Sequence, residues 1–474
     1  MRVSKETILK LLRSWSLTEN LINSTDELLR WIKQRNAEIY VNINHIRLSE
    51  SDFWYLDQQD FCIRNKNRSF FEISGMRVKE NENIICEQPV IIQSENGILG
   101  CICKEIDGII YLLMQAKIEP GNINRVQISP TIQATKSNFT QKHGGTRPLY
   151  LDYFLNADRY EIILDQLQSE QSSRFYKKRN RNIIIKINDD DIEISPNHKW
   201  MTLGQIKQLL RYDNLVNMDT RTVISCIPYA SFSYTDDELC YIKGLFKDNA
   251  LYQSIFTGGT YGEIPEVYRY INDYKMFNEY QTFLVPLNEL SEWEISDYGV
   301  ICRNENNFKV IFCDITIEGR EVKRWTQPLF EATGTALFGL ITCVKNGVRY
   351  FLVKAFPEIG CFDKIELGPS IQMESNDIRK AKTDTDSFEA YFIKRLSEKS
   401  GDIIKDVILS EEGGRFYQEQ NRNIILEVPS ADMDMLYNLP KGYFMLDYKT
   451  LNIMMLINNC LNIQLRNLLA LLEV

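Results

Sequence analysis

Short runs of apolar residues recur in both halves of the chain. Residues 109–116 and 183–187 are rich in β-branched and other apolar side chains and are bounded by Gly, Asn or Pro, and residues 348–355 and 424–428 share this character. Runs of this length and composition are typical of β-strands. The pattern therefore predicts several short strands in each half, although it does not give their order in a sheet.

Two helices are predicted to begin at a capping box. Thr202 with Gln205 precedes an apolar pattern of helical period, and Ser24 with Glu27 does the same earlier in the chain. In such a box the first side chain accepts a hydrogen bond from the backbone three residues on, and the later side chain returns one. Helices interspersed among strands predict an α+β fold with a mixed sheet in each half.

The most apolar stretch of the chain is its last, residues 451–474. Asn458, Asn459, Asn462 and Arg466 interrupt it with polar side chains. This distribution predicts one amphipathic helix that covers a core.

The chain contains an internal repeat. Gln327-Pro328 follows Gln88-Pro89 at a displacement of 239 residues. The same displacement relates Trp54 to Trp293, Gly100 to Gly339, Gly108 to Gly347, Tyr111 to Tyr350, Glu119 to Glu358, Gly121 to Gly360 and Pro130 to Pro369. Further on, SEQSSRFYKKRNRNII from Ser169 matches SEEGGRFYQEQNRNII from Ser410 at a displacement of 241. A register kept over this length indicates a tandem duplication.

The repeat sets the predicted domains. The first repeat covers about 39–225 and the second about 282–470, with a Tyr-rich connector between them. We therefore expect a first domain with N-terminal helices at 1–228, a connector at 229–281 and a second domain at 282–474. The repeated glycines, Gly100, Gly108 and Gly121 with their partners, are predicted to occupy turns with positive φ.

Composition and net charge exclude some classes of function and indicate a location. The chain has 474 residues, 44% hydrophobic and 25% charged, with a formal net charge of −9. This charge argues against a nonspecific nucleic-acid-binding protein, whereas one nucleotide needs only an arginine or two, or a helix N-terminus. Eleven cysteines, none in a CxxC pair, predict reduced and mostly buried thiols. With no secretion signal and no apolar run of membrane-spanning length, the expected location is cytoplasmic.

Aromatic and arginine pairs kept in both repeats are candidates for binding. Trp54 and Trp293 offer flat faces to a base or sugar, although a place in the core is the more common role. Arg174 and Arg415 have the forked geometry that clamps a diphosphate. A structural ion pair of these arginines with Glu170 or Glu411 is an equally good interpretation.

His143 differs between the repeats, because repeat two has no histidine at the matching place. It is one of three histidines and lies beside Gly144-Gly145, so it is a candidate acid or base. Ser137, Asn138, Thr140 and Gln141 precede it and could hold a sugar's hydroxyls. A polar surface loop without such a role accounts for the same residues equally well.

Taken together, these residues resemble the NDP-hexose 2,3-dehydratase family. The family's tandem pattern is QP…G…G…QAK.EPGN…PT.QAT.SN[YF]T…HGG…SEQ…RF…NRN. Repeat one follows it at 115–122, 130–145 and 169–182, and the match spans nearly the whole chain. The combination is far more specific than any of its short pieces.

The resemblance implies a Nudix-like fold duplicated in tandem, a homodimer, and a dTDP-sugar pocket in each half, one of them vestigial. It implies a lyase that removes the 2-hydroxyl of a nucleotide-linked 4-keto-6-deoxyhexose and yields a 3,4-diketo-2,6-dideoxy sugar, which a 3-ketoreductase then consumes. No cofactor and no metal are implied. Nudix hydrolysis is not, since the run from Arg395, RLSEKSGDI, lacks the carboxylate cluster that binds Mg²⁺.

Residue roles follow from the resemblance. His143 or Glu170 transfers protons, Trp54 and Trp293 stack, and Arg174 and Arg415 bind the diphosphates. The other residues expected to contact substrate are Ser137, Asn138, Phe139, Thr140, Gln141, Ser169, Glu412 and Gly413. Two other functions stay open at this point: a phosphohydrolase acting on nucleotide sugars, and a non-catalytic module that binds them.

Repeat two departs from the family pattern. KAFPEIG at 354–360 replaces QAK.EPG, and the SN.T…H run is absent from the second repeat's sequence. The departure puts chemistry in repeat two in doubt. A second difference, QSSRF in repeat one against EGGRF in repeat two, leaves open whether Glu170 and its neighbours or Glu411 and Glu412 serve the working pocket.

Overall fold

A computed structural model describes residues 3–20, 22–139, 147–188, 192–258, 263–304, 307–320, 322–381, 387–398 and 401–474. The strands in these ranges are β1 Val41–His45, β2 Trp54–Leu56, β3 Ile63–Asn65, β4 Glu72–Glu80, β5 Asn83–Ile92, β6 Gly97–Ile106, β7 Ile109–Ile118, β8 Val126–Ser129, β9 Ile132–Ala134, β10 Glu161–Ser169, β11 Phe175–Tyr176, β12 Arg179–Ile187, β13 His198–Thr202, β14 Tyr280–Val285, β15 Trp293–Ser296, β16 Gly299–Cys302, β17 Phe308–Ile317, β18 Arg324–Ala332, β19 Leu337–Lys345, β20 Val348–Phe356, β21 Glu366–Pro369, β22 Ile371–Met373, β23 Ile403–Ser410, β24 Phe416–Tyr417, β25 Gln420–Glu427 and β26 Tyr443–Asp447.

The α-helices in the same ranges are α1 Lys5–Ser16, α2 Thr25–Glu38, α3 Lys136–Phe139, α4 Leu151–Leu155, α5 Leu203–Leu209, α6 Met218–Ser225, α7 Asp236–Leu245, α8 Asn249–Phe256, α9 Glu263–Phe277, α10 Ser375–Ala381, α11 Phe388–Ser397, α12 Tyr448–Met455 and α13 Ile463–Ala470. Short 3-10 helices lie at Leu48–Glu50, Ala157–Arg159, Tyr229–Ser231, Leu287–Glu289 and Ser430–Leu436. Both predicted capping boxes are confirmed, at Ser24 for α2 and Thr202 for α5. The four predicted strands are confirmed as parts of β7, β12, β20 and β25.

Each repeat contributes one large mixed sheet. The first has the order β10-β12-β6-β7-β13, with β8 on β7 and β9 on β6, and the second has the order β21-β20-β19-β25-β23, with β22 on β19 and β26 on β20. In both, the central pair is parallel: β12 with β6, and β25 with β19. Even the irregularity in the outer pair recurs, between Ile162 and Leu164 and between Ile403 and Lys405. The duplication read from the sequence is therefore a duplication of structure.

Two smaller sheets tie the repeats together by exchanging one strand. The first small sheet has the order β11-β5-β4-β3-β2 and the second β15-β16-β17-β18-β24. Strand β14, at the start of repeat two, pairs with β4 of repeat one, whereas its equivalent in repeat one, β1, pairs with β17 of repeat two. Each small sheet thus contains a strand from the other repeat, so the two halves are interlocked.

The repeated glycines serve two different purposes. Gly108 and Gly347 have φ near +75° to +79°, as predicted for turns. The same prediction is wrong for Gly100 and Gly121 and for their partners, whose φ values are not positive. At Gly100 a Cβ would lie 2.4 Å from the ring of Phe154, so this glycine lets a helix approach the sheet closely.

The C-terminal stretch also differs from its prediction. Residues 451–474 do not form one amphipathic helix, because Asn459 takes a left-handed φ of 56° and Asn462 caps a second helix, α13. All eight residues of α13 are buried, including Arg466. Asn458 is exposed, as an amphipathic helix would require, whereas Asn462 is buried as the N-cap of α13.

A single large core joins the two halves. It contains apolar side chains of both large sheets and of the flanking helices, including α7 to α9 of the connector. The division into 1–228, 229–281 and 282–474 stays a prediction, since strands and core cross these boundaries. No helix among the described residues is both long and apolar enough to cross a membrane.

Candidate functional site

A cavity of about 450 Å³ lies between the two repeats. Most of its wall comes from repeat one and the rest from repeat two: Asp52, Phe53, Trp54, Asn67, Phe70, Phe71, Gln93, Gly97, Leu99, Lys117, Glu119, Pro120, Gln133, Ala134, Thr135, Ser137, Glu170, Phe175, Lys178, Asn180, Asp219, Arg320, Val322, Arg324, Trp325, Thr326, Gln327, Glu412, Gly414 and Arg415. This volume is in the range of pockets that bind small molecules and cofactors.

A contact between two loops closes one side of the cavity. The backbone N–H of Gly121 donates to the carbonyl of Gly413 at 2.7 Å, and the N–H of Gln418 donates to the carbonyl of Gly121 at 2.8 Å. A Cβ at position 121 would lie 1.6 Å from the carbonyl oxygen of Phe416. Glycine is therefore required here by the close approach of two backbones, and this approach brings Glu412 and Arg415 of repeat two beside repeat one.

One part of the cavity wall combines an arginine with aromatic rings. The Arg415 guanidinium lies over the Phe71 ring at 4.2 Å, and the Phe71 ring lies 4.7 Å from that of Trp54. One terminal nitrogen of Arg415 donates to the carbonyl of Gly414 at 2.8 Å and the other to Gln93 Oε1 at 3.3 Å. Its buried Nε has no hydrogen-bond partner among the described residues. The unused donor of this arginine can bind a diphosphate. The aromatic rings beside it can contact the base or sugar that the diphosphate links.

Another part of the wall carries carboxylates and lysines. Asn180 Nδ2 donates to Glu170 Oε1 at 2.6 Å, which fixes that carboxylate. Gln133 Nε2 donates to Glu119 Oε1 at 3.1 Å, and Lys117 Nζ lies 3.3 Å from the same oxygen. The N–H of Glu170 bonds the carbonyl of Lys178 at 3.0 Å, so the two side chains come from the two arms of one turn.

Burial perturbs the ionisation of these groups. It raises the pKa of Glu170, an effect opposed by the positive charges of Arg466 and Lys178. Burial, with the charge of Glu119, raises the pKa of Glu412 to about 7. It also lowers the pKa of Lys178 to about 8. Groups that titrate near neutral pH within one cavity are suited to general acid–base chemistry.

The residues of the second pocket, which are aligned with those of the cavity wall, differ from them in charge and pairing. Glu374 stands where the cavity has Thr135, and it forms an ion pair with Arg174, the equivalent of Arg415, at 3.0 Å. The Arg174 guanidinium also lies over the Phe308 ring at 4.2 Å, as Arg415 does over its own ring. Arg174 is thus already neutralised by a protein carboxylate and is not available to an anion in the way Arg415 is.

Two further exchanges change the charge of this second place. Glu419 replaces Lys178, and Phe356 replaces Lys117. The carboxylates Glu358 and Glu411 are kept. The second place therefore keeps one arginine, which is paired with Glu374, and has no lysine at either of these positions, so it offers less positive charge to a diphosphate.

The structure brings several of the predicted site residues together. Trp54, Ser137, Glu170, Glu412 and Arg415 all line the cavity. Glu170 and Glu412, which the sequence offered as alternatives, belong to the same cavity. The backbone of Gly413 takes part in the loop contact beside it.

Three predicted residues lie elsewhere. Arg174 pairs with Glu374 rather than with Glu170, its expected structural partner. Trp293 packs in a core cluster against Phe308, with ring centroids 5.1 Å apart. Ser169 is buried and its hydroxyl donates to Glu366 Oε2 at 2.6 Å. In the described part of the chain these three are not among the cavity-lining residues.

Several predicted residues cannot be placed. His143, Thr140 and Gln141 lie outside the described residues. Asn138 and Phe139 belong to α3, but their side chains are not described.

Sequence reasoning missed Lys117, Lys178, Asn180 and Asp219. A signal existed for the lysines, since Lys178 and Lys117 are replaced by Glu419 and Phe356 at aligned positions of the repeat. A loss of matching charge between copies indicates that only one copy keeps the function. A signal of the same kind existed for Asp219, because Asn-x-Asp-x-Arg at 217–221 is matched by Asn-x-Gln-x-Arg at 462–466.

Comparison with known proteins identifies the family and the relatives that this chain resembles. A family model described as NDP-hexose 2,3-dehydratase matches residues 25–227 and 264–472. The chain is 36% identical over 448 residues to a dTDP-4-dehydro-6-deoxy-alpha-D-glucopyranose 2,3-dehydratase of Saccharopolyspora spinosa, covering 94% of this chain and 90% of that one. Proteins of the same name from Streptomyces violaceoruber and Amycolatopsis orientalis are 33% identical over 445 residues and 31% over 464, covering 93% and 96% of this chain and 95% and 92% of theirs.

Proposed function

The chain belongs to the NDP-hexose 2,3-dehydratase family, and from this premise we propose that the cavity between its repeats is where it acts. The protein is a lyase that removes water across carbons 2 and 3 of dTDP-4-keto-6-deoxyglucose. The product is a 3,4-diketo-2,6-dideoxy sugar nucleotide. The overall reaction needs no oxidant or reductant, because water is lost without net oxidation.

One observation carries the assignment of the site: the two chemically different parts of the cavity wall. Arg415 with Phe71 and Trp54 suits the nucleoside diphosphate, whereas Glu170, Glu412 and the lysines suit acid–base chemistry on the sugar. A nucleotide sugar needs both on one continuous wall. The equivalent place in repeat two, with Arg174 neutralised, is the vestigial pocket in this proposal.

The first chemical step removes the proton on carbon 3, which the neighbouring ketone acidifies. Glu170 is the proposed base, because Asn180 orients its carboxylate and burial makes it a better proton acceptor than an exposed one. The electron pair moves toward the ketone oxygen as an enolate. Lys178 is still mostly protonated near pH 7 and can stabilise that charge. His143 stays a second candidate on sequence grounds alone.

The other predicted contacts keep their proposed roles where their positions allow. Trp54 lines the cavity and is proposed to contact the base or sugar, although it belongs to the same buried cluster as Trp293. Ser137 lines the cavity too, and its hydroxyl donates to Glu95. The remaining polar residues of its loop, Asn138, Thr140 and Gln141, are proposed sugar contacts from the resemblance.

The activity is tested by incubating the protein with dTDP-4-keto-6-deoxyglucose. Dehydration gives the diketo sugar or its breakdown product maltol, detected by absorbance or mass spectrometry. A phosphohydrolase would instead release dTMP, and a binding module would leave the sugar unchanged while retaining it on the protein. Either of these results would reject the proposed function.

We expect one nucleotide to bind per chain. Arg415→Ala should weaken dTDP binding by about 10- to 100-fold, because a charge-assisted hydrogen bond from arginine contributes about 1.5–3 kcal/mol. The matched Arg174→Ala variant should keep wild-type affinity within about threefold. Titration calorimetry measures both the affinity and the stoichiometry. Two equivalent dTDP sites, or equal losses in the two variants, would contradict the assignment.

We also infer a homodimer, supported by the edge strand β14. Among the described residues β14 pairs with β4 alone, and Phe283 and Leu284 on it are 43% and 44% exposed. Its equivalent β1 carries Asn44 at the position of Phe283. An apolar edge strand needs cover, and a second copy of the chain can supply it.

The homodimer is testable with a matched pair of variants. Phe283→Lys should shift the protein to a monomer in sedimentation velocity, since a charge on an edge strand opposes pairing. Asn44→Lys, at the equivalent position of β1, should leave the assembly unchanged. A monomeric wild-type protein would refute the proposal.

The remaining proposals follow from the resemblance. Each repeat is proposed to have a Nudix-like fold, for which the recurring mixed sheet flanked by helices is the support. The unstable diketone product calls for a 3-ketoreductase as the next enzyme. A cytoplasmic location is in keeping with the eleven cysteines, all of which are free thiols in the structure.

A further inference from the structure

Asp219 is a buried acid in the cavity wall that the steps above do not use. It is the second residue of α6, whose N-cap is Asn217. Its side chain lines the cavity, yet the residue is only 1% exposed. Its Oδ2 has no hydrogen-bond partner in the described part of the chain. Buried polar atoms without partners are rare and indicate either a missing ligand or a chemical role.

The surroundings of Asp219 disfavour its charged form. Burial is the main reason that its pKa lies well above the ordinary range, and the charges of Glu170, Glu412 and Glu119 add to the effect. Lys117 opposes it more weakly. A raised pKa favours the protonated form of the carboxyl group, which has an O–H to donate.

The second repeat lacks this acid. The helices α6 and α13 occupy equivalent places, and each begins after an asparagine N-cap. The second helical residue is Asp219 in α6 but Gln464 in α13. Glutamine fills similar space without a transferable proton, so the acid is found in the same copy that keeps Lys178 and Lys117.

We propose that Asp219 is the general acid that protonates the departing 2-hydroxyl of the keto sugar. This inference rests on the proposed dehydration in the cavity and on Glu170 as the base. The two carboxyl groups then have different roles: Glu170 accepts a proton, and Asp219 donates one. Unlike surroundings that separate two carboxyl groups in this way are a recurring arrangement in acid–base enzymes.

The proton inventory balances over the cycle. Glu170 takes the proton from carbon 3, and the electron pair forms the enolate. Collapse of the enolate forms the double bond between carbons 2 and 3 and breaks the bond from carbon 2 to its oxygen, which leaves as water with the proton of Asp219. The enol then gains the Glu170 proton on carbon 2, and its hydroxyl proton returns to Asp219. Both residues regain their starting states.

The test separates proton removal from loss of the hydroxyl. In D₂O, Asp219→Asn should still exchange the hydrogen on carbon 3, because Glu170 continues to form the enolate, while kcat for dehydration falls about a hundredfold. Mass spectrometry of recovered substrate should show a gain of one mass unit. Glu170→Gln should show neither exchange nor dehydration. Gln464→Asn, at the equivalent position of α13, is the matched control and should behave as wild type.

The outcomes are distinguishable. Dehydration by Asp219→Asn within about threefold of wild type would overturn the role of Asp219 alone. Loss of exchange together with dehydration, in a variant that still binds dTDP, would overturn it too, because a purely structural role predicts that pattern. A wild-type protein that neither exchanges nor dehydrates the keto sugar would overturn the proposed function itself. Thermal unfolding checks the fold, which removal of a poorly solvated carboxyl should not weaken at pH 7.

Discussion

Replacing Glu170 with glutamine is expected to reduce kcat for dehydration about a thousandfold, within the 10²- to 10⁴-fold range of general acid–base catalysis. The amide keeps the shape of the side chain and can still meet Asn180, so the cavity should keep its form. What it loses is the ability to accept the proton from carbon 3. Affinity for dTDP should change by less than about threefold, since the nucleotide is assigned to the Arg415 side of the wall.

The repeat supplies the control for this experiment. Glu411 is the equivalent of Glu170, is also buried, and accepts a hydrogen bond from Asn421 at 2.6 Å, as Glu170 does from Asn180. Glu411→Gln should therefore keep turnover close to wild type. If Glu411→Gln lost activity and Glu170→Gln kept it, the chemistry would belong to the second repeat and the assignment of the two pockets would be reversed.

Local features of the fold could be predicted from the sequence. The capping boxes at Ser24 and Thr202 and the strands around residues 109–116 and 183–187 depend on neighbours a few residues apart. The duplication was visible because both copies keep identical residues at a fixed spacing. Trp54, Ser137 and Arg415 were singled out by the repeat or the resemblance, and the structure puts them in one cavity.

Features that depend on distant contacts could not be predicted. Arg174 and Arg415 have nearly the same local sequence, and what separates them is Glu374, a partner 200 residues from Arg174. The exchange of β1 and β14 between the small sheets could not be predicted either, because the residues of a strand do not show which repeat supplies its partner. Asp219 was missed because its significance comes from carboxylates on other elements.

The pocket of repeat two that is equivalent to the cavity is expected to lower the stability of the fold in a way that depends on pH. Glu358, Glu366 and Glu419 are buried there or close by, and burial is the main reason that their pKa values rise to about 8, 7 and 8. For Glu419 the charges of Glu411 and Glu374 raise the pKa further, although Arg174 opposes them. Where the cavity of repeat one has lysines, this pocket has buried carboxyl groups, and folding favours their protonated forms.

The sign of the effect follows from the raised pKa of Glu419. Below about pH 4.5 the carboxyl is protonated in both the folded and the unfolded chain, so it does not affect their balance. As the pH rises to about 8, the Glu419 carboxyl loses its proton in the unfolded chain but keeps it in the folded chain. The free energy of unfolding therefore falls. At about 1.4 kcal/mol per pKa unit, the loss is about 4 kcal/mol near pH 8 and approaches about 5 kcal/mol at higher pH.

Glu419→Gln should remove this loss. Relative to wild type, the variant's free energy of unfolding should rise by less than about 1 kcal/mol at pH 5 and by about 4 kcal/mol at pH 8.5, as measured by urea denaturation followed by tryptophan fluorescence. Exposed Glu294→Gln is the control and should run parallel to wild type at both values. Turnover of Glu419→Gln should be unchanged, because Glu419 stands in the pocket that lost its lysines. A difference between variant and wild type that stayed constant with pH would show that Glu419 is ionised in the folded protein and would contradict the raised pKa on which this prediction rests.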